Sequence, residues 1–351
     1  MQLKQLGFDQ WFEAHASDMS REGFAFARVC AVHRGSCIVN GGAGEIPAEL
    51  AGRLAYHAGD PSGLPCVGDW VLVSAYDGGR AAIIHDVLPR KTFLRRKTPG
   101  SAMGVQMIAA NIDTAFIVQS CHFDFNPSRL ERYLAMASDG GVRPVVVLTK
   151  TDLAGPDELQ CKLELTRAVT RSAVIPLSNV DGTGFGVFRD TLSAGSTYCL
   201  LGSSGVGKTT ILNRLMERRA FETASVSGTG EGTHTTTRRQ LIVLDNGAML
   251  IDTPGMRELG LACASQALDA GFQDLGALAA SCRYPDCTHR HEPGCAVRAA
   301  VESGAVPSRS YENYLKLRKE TEFHEMSGQE KRRKDKAFGR LVKSVKKSMR
   351  K

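Results

Sequence analysis

The feature that most constrains the fold is the order of two short motifs. Thr149-Lys150-Thr151-Asp152 comes first, and a glycine-rich segment at residues 202–209 follows about fifty residues later. The first motif can read a guanine base and the second can hold phosphates, so both suit one nucleotide site. In ordinary GTPases the phosphate loop comes first. We therefore predict an α/β P-loop GTPase domain whose chain is circularly permuted.

The glycine-rich segment has the residue types of a phosphate loop. Gly202 and Gly207 permit tight turns that point backbone amides at phosphate oxygens. Lys208 adds positive charge at the β and γ phosphates, and the Thr209 hydroxyl can bind Mg²⁺. The residues predicted to hold GTP here are Gly202, Ser203, Ser204, Gly205, Val206, Gly207, Lys208, Thr209 and Thr210.

The base-reading motif predicts guanine specificity. Asp152 can accept hydrogen bonds from guanine N1–H and the 2-amino group, which adenine cannot donate in that arrangement. The stem of Lys150 can cover the base plane. Thr149 stands where most GTPases have Asn, so we expect a looser loop with the guanine preference kept. Thr151 completes the motif, and Ser178, within segment 177–179, is expected at the guanine oxygen.

Residues expected to sense the γ phosphate follow the phosphate loop. Asp252 ends an apolar run and can hold Mg²⁺ through water, while the amide of Gly255 can contact the γ phosphate. A Thr-rich segment at 228–239 suits a switch loop, and one threonine of 235–237 should supply its Mg²⁺ ligand, of which we favour Thr236. Met256 stands where many GTPases carry a water-positioning Gln. Slow intrinsic hydrolysis is therefore expected, with either His234, the candidate catalytic residue, or the partner supplying the missing group.

A cluster of cysteines and histidines predicts a metal site. Cys282, Cys287, His289 and Cys295 offer three thiolates and one imidazole within fourteen residues. Four protein ligands close a tetrahedral zinc site, so the zinc is expected to be structural. His291 is a competing ligand. The other seven cysteines have no motif spacing and are predicted to be reduced thiols, mostly buried.

The remaining patterns divide the chain into three parts. Short β-patterned runs separated by glycine-rich turns fill the first hundred residues and predict a small barrel, of OB or SH3-like type. From about residue 105 strands and helices alternate, as in a doubly wound sheet. We therefore predict an OB-fold β-barrel over 1–104, the GTPase domain over 105–275, and a zinc-binding helical module with a basic C-terminal helix over 276–351.

Charge is concentrated at the C-terminal end. Residues 329–351 contain eleven Lys/Arg and two acidic residues, a net +9, against +7 for all 351 residues. The rest of the chain is therefore slightly acidic, and a polyanion partner is indicated for the tail. No run approaches eighteen apolar residues, so we expect no membrane segment and a cytoplasmic location.

Together these motifs resemble the RsgA family, the ribosome small subunit-dependent GTPases. The resemblance rests on the phosphate loop, the Thr-rich segment around His234, the motif that ends at Gly255 and the Cys/His cluster. It implies an OB-fold that contacts rRNA, GTP hydrolysis to GDP stimulated by the small ribosomal subunit, and a role in late maturation of that subunit. It also implies zinc on Cys282, Cys287, His289 and Cys295. We expect a monomer.

Two other functions remain open at this point. One is a nucleotide-sensing RNA-binding module with negligible catalysis, and the other is an ATP-using P-loop enzyme. The motif order carries a further expectation. The γ-phosphate-sensing segment stands close in sequence to the C-terminal module, so loss of the γ phosphate is predicted to reorient that module and the tail relative to the barrel.

Overall fold

The computed structural model describes residues 2–19, 22–33, 35–57, 61–98, 104–122, 125–216, 239–253, 268 and 272–325. The strands within these ranges are β1 Ala25–Val32, β2 Ser36–Asn40, β3 Glu45–Leu50, β4 Trp70–Tyr76, β5 Ala81–Val87, β6 Phe93–Lys97, β7 Val105–Ala110, β8 Thr114–Ser120, β9 Arg143–Thr149, β10 Val174–Pro176, β11 Thr197–Leu201, β12 Gln240–Val243 and β13 Met249–Asp252. The helices are α1 Gln10–Ser17, α2 Gly52–His57, α3 Pro127–Asp139, α4 Pro156–Arg167, α5 Phe185–Asp190, α6 Lys208–Leu215, α7 Gln273–Ala279, α8 Ala296–Glu302 and α9 Ser308–Glu325.

Strands β1 to β5 close into a five-stranded barrel. β1 pairs with β2 and β4, β2 pairs with β3, and β5 pairs with β3 and β4. Alternate side chains fill the interior, and Val29, Val39, Val71 and Ile84 are fully buried there. Strands β4 and β5 form a hairpin that turns at residues 77–79, with Gly78 at φ +63°. The closed barrel fits the predicted OB-type fold.

The next unit is a six-stranded sheet in the order β10-β9-β8-β11-β13-β12. Its neighbouring strands are parallel except for β12 and β13. The strand before the phosphate loop, β11, lies between β8 and β13, although β8, β9 and β10 all precede it in the chain. The predicted strand–helix alternation and permuted order are confirmed. Ligands of such sheets bind beyond the carboxyl ends of the strands, where both nucleotide motifs lie.

A two-stranded hairpin, β6–β7, was not predicted from the sequence. Arg95 in β6 makes two hydrogen bonds to the carboxylate of Asp139 at the end of α3, at 2.7 and 3.1 Å. The backbone of Gly140 also approaches β6 so closely that a β-carbon there would lie 1.5 Å from the Phe93 carbonyl oxygen. The predicted boundary at residue 104 falls just before β7, between the two strands of this hairpin.

Arg28 joins the barrel to the GTPase sheet. It lies in β1 and is 1% exposed. Its guanidinium donates to Thr197 Oγ1 at 2.8 Å, to the Asn111 carbonyl at 3.0 Å and to the Leu6 carbonyl. Burial lowers the pKa of Arg28 to about 10, so the group stays charged at neutral pH. Strand β1 also pairs with β12, where Ala31 lies opposite Gln240.

The C-terminal module packs on α3 of the GTPase domain. At the contact, Glu131 of α3 is 3% exposed and accepts hydrogen bonds from Ser310 Oγ at 2.6 Å and Asn313 Nδ2 at 2.5 Å. Arg132 forms a two-bond ion pair with Glu320, both bonds at 2.8 Å. Among the described helices, none is both long and apolar enough to span a membrane.

Candidate nucleotide site and metal centre

The phosphate loop connects β11 to α6 along the edge of the sheet. A β-carbon on Gly202 would lie 2.5 Å from the Val118 carbonyl oxygen of β8, so only glycine fits there. Gly207 precedes the first turn of α6 at φ +100°, a conformation that glycine adopts without strain. Lys208 begins α6, is 7% exposed, and donates to the carbonyls of Gly202 at 2.8 Å and Ser203 at 2.6 Å. Its ammonium therefore lies against the loop itself.

The base-reading motif starts where β9 ends. Lys150 adopts φ +58° and turns the chain so that Asp152 is exposed beyond the sheet. Ser178 Oγ donates to Asp152 Oδ1 at 2.8 Å and accepts from the amides of Val180 and Asp181 at 3.2 Å. The Asp152 carboxylate is thereby oriented from the loop that follows β10.

Thr149 connects the two motifs directly. Its hydroxyl is buried and donates to the Val206 carbonyl of the phosphate loop at 2.6 Å, with the Gln119 carbonyl also within 3.2 Å. The expectation of a looser loop at this position stays a prediction. The hydroxyl that stands where most GTPases have an amide bridges to the phosphate loop itself.

The described residues around the phosphate loop fit a magnesium–nucleotide complex. Asp252 ends β13 with 2% exposure and lies opposite Leu200 of β11 in the sheet register. Thr209 is half-buried at the start of α6. Among the described residues, Ser203 Oγ is buried with no hydrogen-bond partner. A carboxylate and a hydroxyl are hard oxygen donors that Mg²⁺ prefers. The other predicted members, His234, Thr236, Gly255 and Met256, lie outside the described residues, as does the basic tail.

The Cys/His cluster converges as the spacing predicts. The ligand atoms of Cys282, Cys287, His289 and Cys295 lie within 4.8 Å of one another. His289 Nδ1 is 3.5 Å from the sulfurs of Cys282 and Cys295, and these two sulfurs are 3.9 Å apart. A tetrahedral zinc has bonds of about 2.3 Å to sulfur and 2.0–2.1 Å to nitrogen. Its ligand atoms are then about 3.6 Å apart for sulfur and nitrogen and about 3.8 Å apart for two sulfurs. The cluster therefore fits zinc, and His291 is not part of it.

Backbone amides support the thiolate form of this cluster. Although burial opposes ionisation of Cys282, hydrogen bonds from the amides of Val297 and Ala296 bring its pKa below the usual value. Cys295 Sγ accepts from the Arg298 amide at 3.4 Å and caps the start of α8. By contrast, burial and the neighbouring cysteines raise the pKa of Cys287 to about 11. A bound cation would relieve this crowding of sulfurs.

Comparison with known proteins identifies the family. The family model described as RsgA GTPase matches residues 87–262. A protein of Opitutus terrae named small ribosomal subunit biogenesis GTPase RsgA is 42% identical over 91% of this chain and 90% of its own length. The chain belongs to the RsgA GTPase family. It is therefore a GTP hydrolase, and the resemblance inferred from the motifs is confirmed.

Solved structures agree with the fold of this RsgA GTPase. The crystal structure of YjeQ from Thermotoga maritima matches with a TM-score of 0.65 and 26% identity, over 85% of this chain and 98% of that one. The structure of YloQ, described as a circularly permuted GTPase, matches with a TM-score of 0.61 and 22% identity, over 87% and 98%. The second likeness concerns the fold alone.

Two side chains of this RsgA GTPase act at the loop after β10, and the motifs assigned a role to neither of them. Arg214, in α6, donates to the carbonyls of Asn179 at 3.1 Å and Ser178 at 3.4 Å, and its guanidinium lies 4.5 Å from the centre of the Phe185 ring. Asn179 itself extends its amide towards Gly207. Arg214 belongs to no motif, and segment 177–179 gave the Asn179 side chain no role, because these contacts join residues about 30 or more positions apart in the chain.

Proposed function

We propose that this GTPase binds the small ribosomal subunit in its GTP state, promotes late maturation of that subunit, and leaves after hydrolysis. The observation that carries the proposal is the likeness to the Opitutus terrae protein, whose name assigns it to small ribosomal subunit biogenesis and whose length is almost fully matched. Proteins of Lactiplantibacillus plantarum and Syntrophotalea carbinolica with the same designation are 42% and 40% identical over at least 90% of the chain.

Within this function the phosphate loop, residues 202–210, holds the phosphates of GTP, and Asp152 selects guanine. Thr209 and Asp252 support Mg²⁺, which neutralises charge on the phosphates when bound. Thr236 is the proposed ligand from the switch loop, and Gly255 the proposed γ-phosphate contact. His234 is the proposed catalytic group. The bridge from Thr149 to Val206 supports this assignment because it joins the phosphate-binding and base-binding loops in one site.

The proposed partner surface is basic and is directed to rRNA. The tail at 329–351 has a net charge of +9, whereas the rest of the chain is slightly acidic, and the closed barrel supplies a compact second binding unit. Electrostatic contacts with phosphates weaken steeply as salt rises. A monomer acting in the cytoplasm suits such a factor.

GTP turnover by the full-length protein, with and without purified small ribosomal subunits and at two salt concentrations, tests the proposal. We expect stimulation by the subunits that falls at the higher salt. Intact GTP binding without any stimulation would favour the nucleotide-sensing module with negligible catalysis. An Asp152→Asn variant is the control for guanine selection. ATP that competes as well as GTP in the wild type would contradict the assignment of Asp152.

The metal proposal has its own measurement. We propose a single structural zinc on Cys282, Cys287, His289 and Cys295, and metal analysis of the purified protein should find one zinc per chain. Cys282→Ser should lose this zinc and lower the melting temperature, because metal binding contributes to folding of such modules. Cys161→Ser, which alters an exposed thiol outside the cluster, is the matched control. Full zinc content in Cys282→Ser would contradict the assignment.

A further inference from the structure

The side chain of Asn179 lies between the base-reading loop and the phosphate loop. A β-carbon built on Gly207 would lie 3.1 Å from Asn179 Nδ2 and 3.9 Å from Thr149 Oγ1. The amide of Asn179 is therefore beside the last turn of the phosphate loop, on the same side as the Thr149 hydroxyl. Its neighbour Ser178 contacts the Asp152 carboxylate. Asn179 thus stands where a base bound at Asp152 meets the phosphate loop.

Thr149 leaves this position without an amide. The side chain of Thr149 has one proton to donate, and that proton is directed to the Val206 carbonyl at 2.6 Å. It cannot donate to a base at the same time. Among the described residues, Oδ1 of Asn179 is buried without a hydrogen-bond partner, so the Asn179 carboxamide is not held by an internal hydrogen bond at that atom.

The Asn179 backbone is held firmly enough to place this amide. Arg214 donates to the Asn179 carbonyl at 3.1 Å and packs on the Phe185 ring, which anchors the loop to α6. Helix α6 begins at the phosphate loop itself. One helix therefore fixes the distance between the phosphate loop and the Asn179 amide, and a specific contact needs such a rigid support.

We propose that the Asn179 carboxamide is a specificity-determining group that donates a hydrogen bond from Nδ2 to N7 of guanine. The proposal rests on the proposed binding of guanine nucleotides at Asp152. Guanine presents acceptors at N7 and O6 on the edge opposite to its N1–H and 2-amino donors. Asp152 accepts from the donor edge and Asn179 donates to the acceptor edge. The amide absent at 149 is supplied from the neighbouring loop.

A nucleotide that lacks only N7 tests this contact. The full-length protein is titrated with GDP and with 7-deaza-GDP, in which a carbon replaces N7. Wild type should bind 7-deaza-GDP about 3- to 10-fold more weakly than GDP, the range for one hydrogen bond. Asn179→Ala should bind GDP more weakly by the same factor and 7-deaza-GDP as wild type does. The ratio of the two dissociation constants should therefore fall to about one.

Two further variants make the result specific. Thr149→Asn combined with Asn179→Ala returns an amide to the base-reading motif. In this double variant the ratio of the dissociation constants for 7-deaza-GDP and GDP should rise part of the way back to the wild-type value. Asn246→Ala removes a remote asparagine that donates to the Leu192 carbonyl, and it should keep the wild-type ratio. Retained affinity of Asn179→Ala for 7-deaza-GDP shows that its site is folded.

The outcomes separate this inference from the proposed function. Wild type that binds GDP tightly and 7-deaza-GDP equally well would overturn the contact to N7 and leave the guanine site in place. An unchanged ratio in Asn179→Ala would also overturn it. Failure of wild type to prefer GDP over ADP would instead overturn the base site at Asp152, and the inference with it.

Discussion

At the residue scale, Thr149 shows how a small hydroxyl can connect two functional loops. It is completely buried, and its hydrogen bond to the Val206 carbonyl crosses from the end of β9 to the phosphate loop. A carbonyl buried at this depth loses its partner if the hydroxyl is removed, and water cannot easily replace it. The position therefore requires a donor, and both Thr and Ser supply one.

Thr149→Val should weaken nucleotide binding. Valine keeps the β-branched shape but removes the donor, so the Val206 carbonyl remains buried without this bond. The cost is about 1–2 kcal/mol, which raises the dissociation constant for GDP by about 5- to 30-fold. Titration with a fluorescent GDP analogue measures it. Thr149→Ser is the matched control and should stay near wild type, whereas a Val variant that binds as tightly as wild type would contradict the role of the bridge.

Glu131 gives a second prediction at this scale, concerning pH. Burial raises the pKa of the Glu131 carboxyl above its usual value, even though Ser310 and Asn313 donate hydrogen bonds to it. The folded protein thus binds this proton more tightly than the unfolded chain does. Stability from Glu131 is therefore present at low pH and is lost as the pH rises from the ordinary carboxyl pKa through the raised one.

Glu131→Gln removes this titration. Relative to the Gln variant, wild type should become less stable as the pH is raised from about 4.5 to 7. Denaturant unfolding of both proteins at several pH values in this window measures the difference. A stability difference that stays constant, or that grows in favour of wild type as the pH rises, would contradict the raised pKa.

At the scale of elements, α6 supports the nucleotide site at two points. Its first residue, Lys208, lies against the phosphate loop, and Arg214 near its other end holds the loop after β10. The two points are about two turns apart, so one short helix sets the spacing between phosphate and base contacts.

Arg214→Ala should loosen the loop after β10, which orients Asp152 of the base-reading motif. It removes the hydrogen bonds to the Ser178 and Asn179 carbonyls together with the contact on Phe185, so affinity for GDP should fall about 3- to 10-fold. Arg214→Lys keeps the charge but not the planar guanidinium, so its affinity for GDP should lie between those of wild type and Arg214→Ala. Calorimetric titration with GDP measures all three proteins. Arg189→Ala, an exposed arginine on α5, is the control, and equal losses in both alanine variants would count against a specific role of Arg214.

The elements also show which parts of the fold the sequence could predict. Apolar, β-branched runs such as 144–148 are followed directly by functional motifs. Because such runs form buried strands, the sequence predicted both the strands and the position of the site at their ends. The β6 strand Phe93–Lys97 reads Phe-Leu-Arg-Arg-Lys, which has no clear alternation, and its position depends on Gly140 and Asp139. Likewise the Asn179 and Arg214 contacts depend on how separate loops meet, which spacing within a motif does not record.

At the scale of the whole molecule, polar contacts fix both flanking units to the GTPase domain. Arg28 attaches the barrel, and Glu131 with Arg132 attaches the C-terminal module. The predicted reorientation of that module with nucleotide state stays a prediction. Such a reorientation requires either that α3 moves together with the C-terminal module or that the hydrogen bonds of Glu131 to Ser310 and Asn313 break. The role of Arg28 could not be predicted from the sequence, because a charged residue within an alternating strand is expected to face solvent.

Arg28→Ala should uncouple the barrel from the GTPase domain. The change leaves the Leu6 and Asn111 carbonyls and the Thr197 hydroxyl without their buried donor, and a buried polar group left without a partner costs about 1–3 kcal/mol. Because Thr197 begins the strand that leads to the phosphate loop, the change should destabilise the GTPase domain as well as the barrel. Differential scanning calorimetry should show a lower melting temperature, with the barrel unfolding before the GTPase domain. Arg53→Ala, an exposed residue of α2 in the barrel, should melt as wild type does. A single transition at the wild-type temperature in Arg28→Ala would mean that the sheet pairing between β1 and β12, with its apolar surroundings, holds the two units together without the guanidinium.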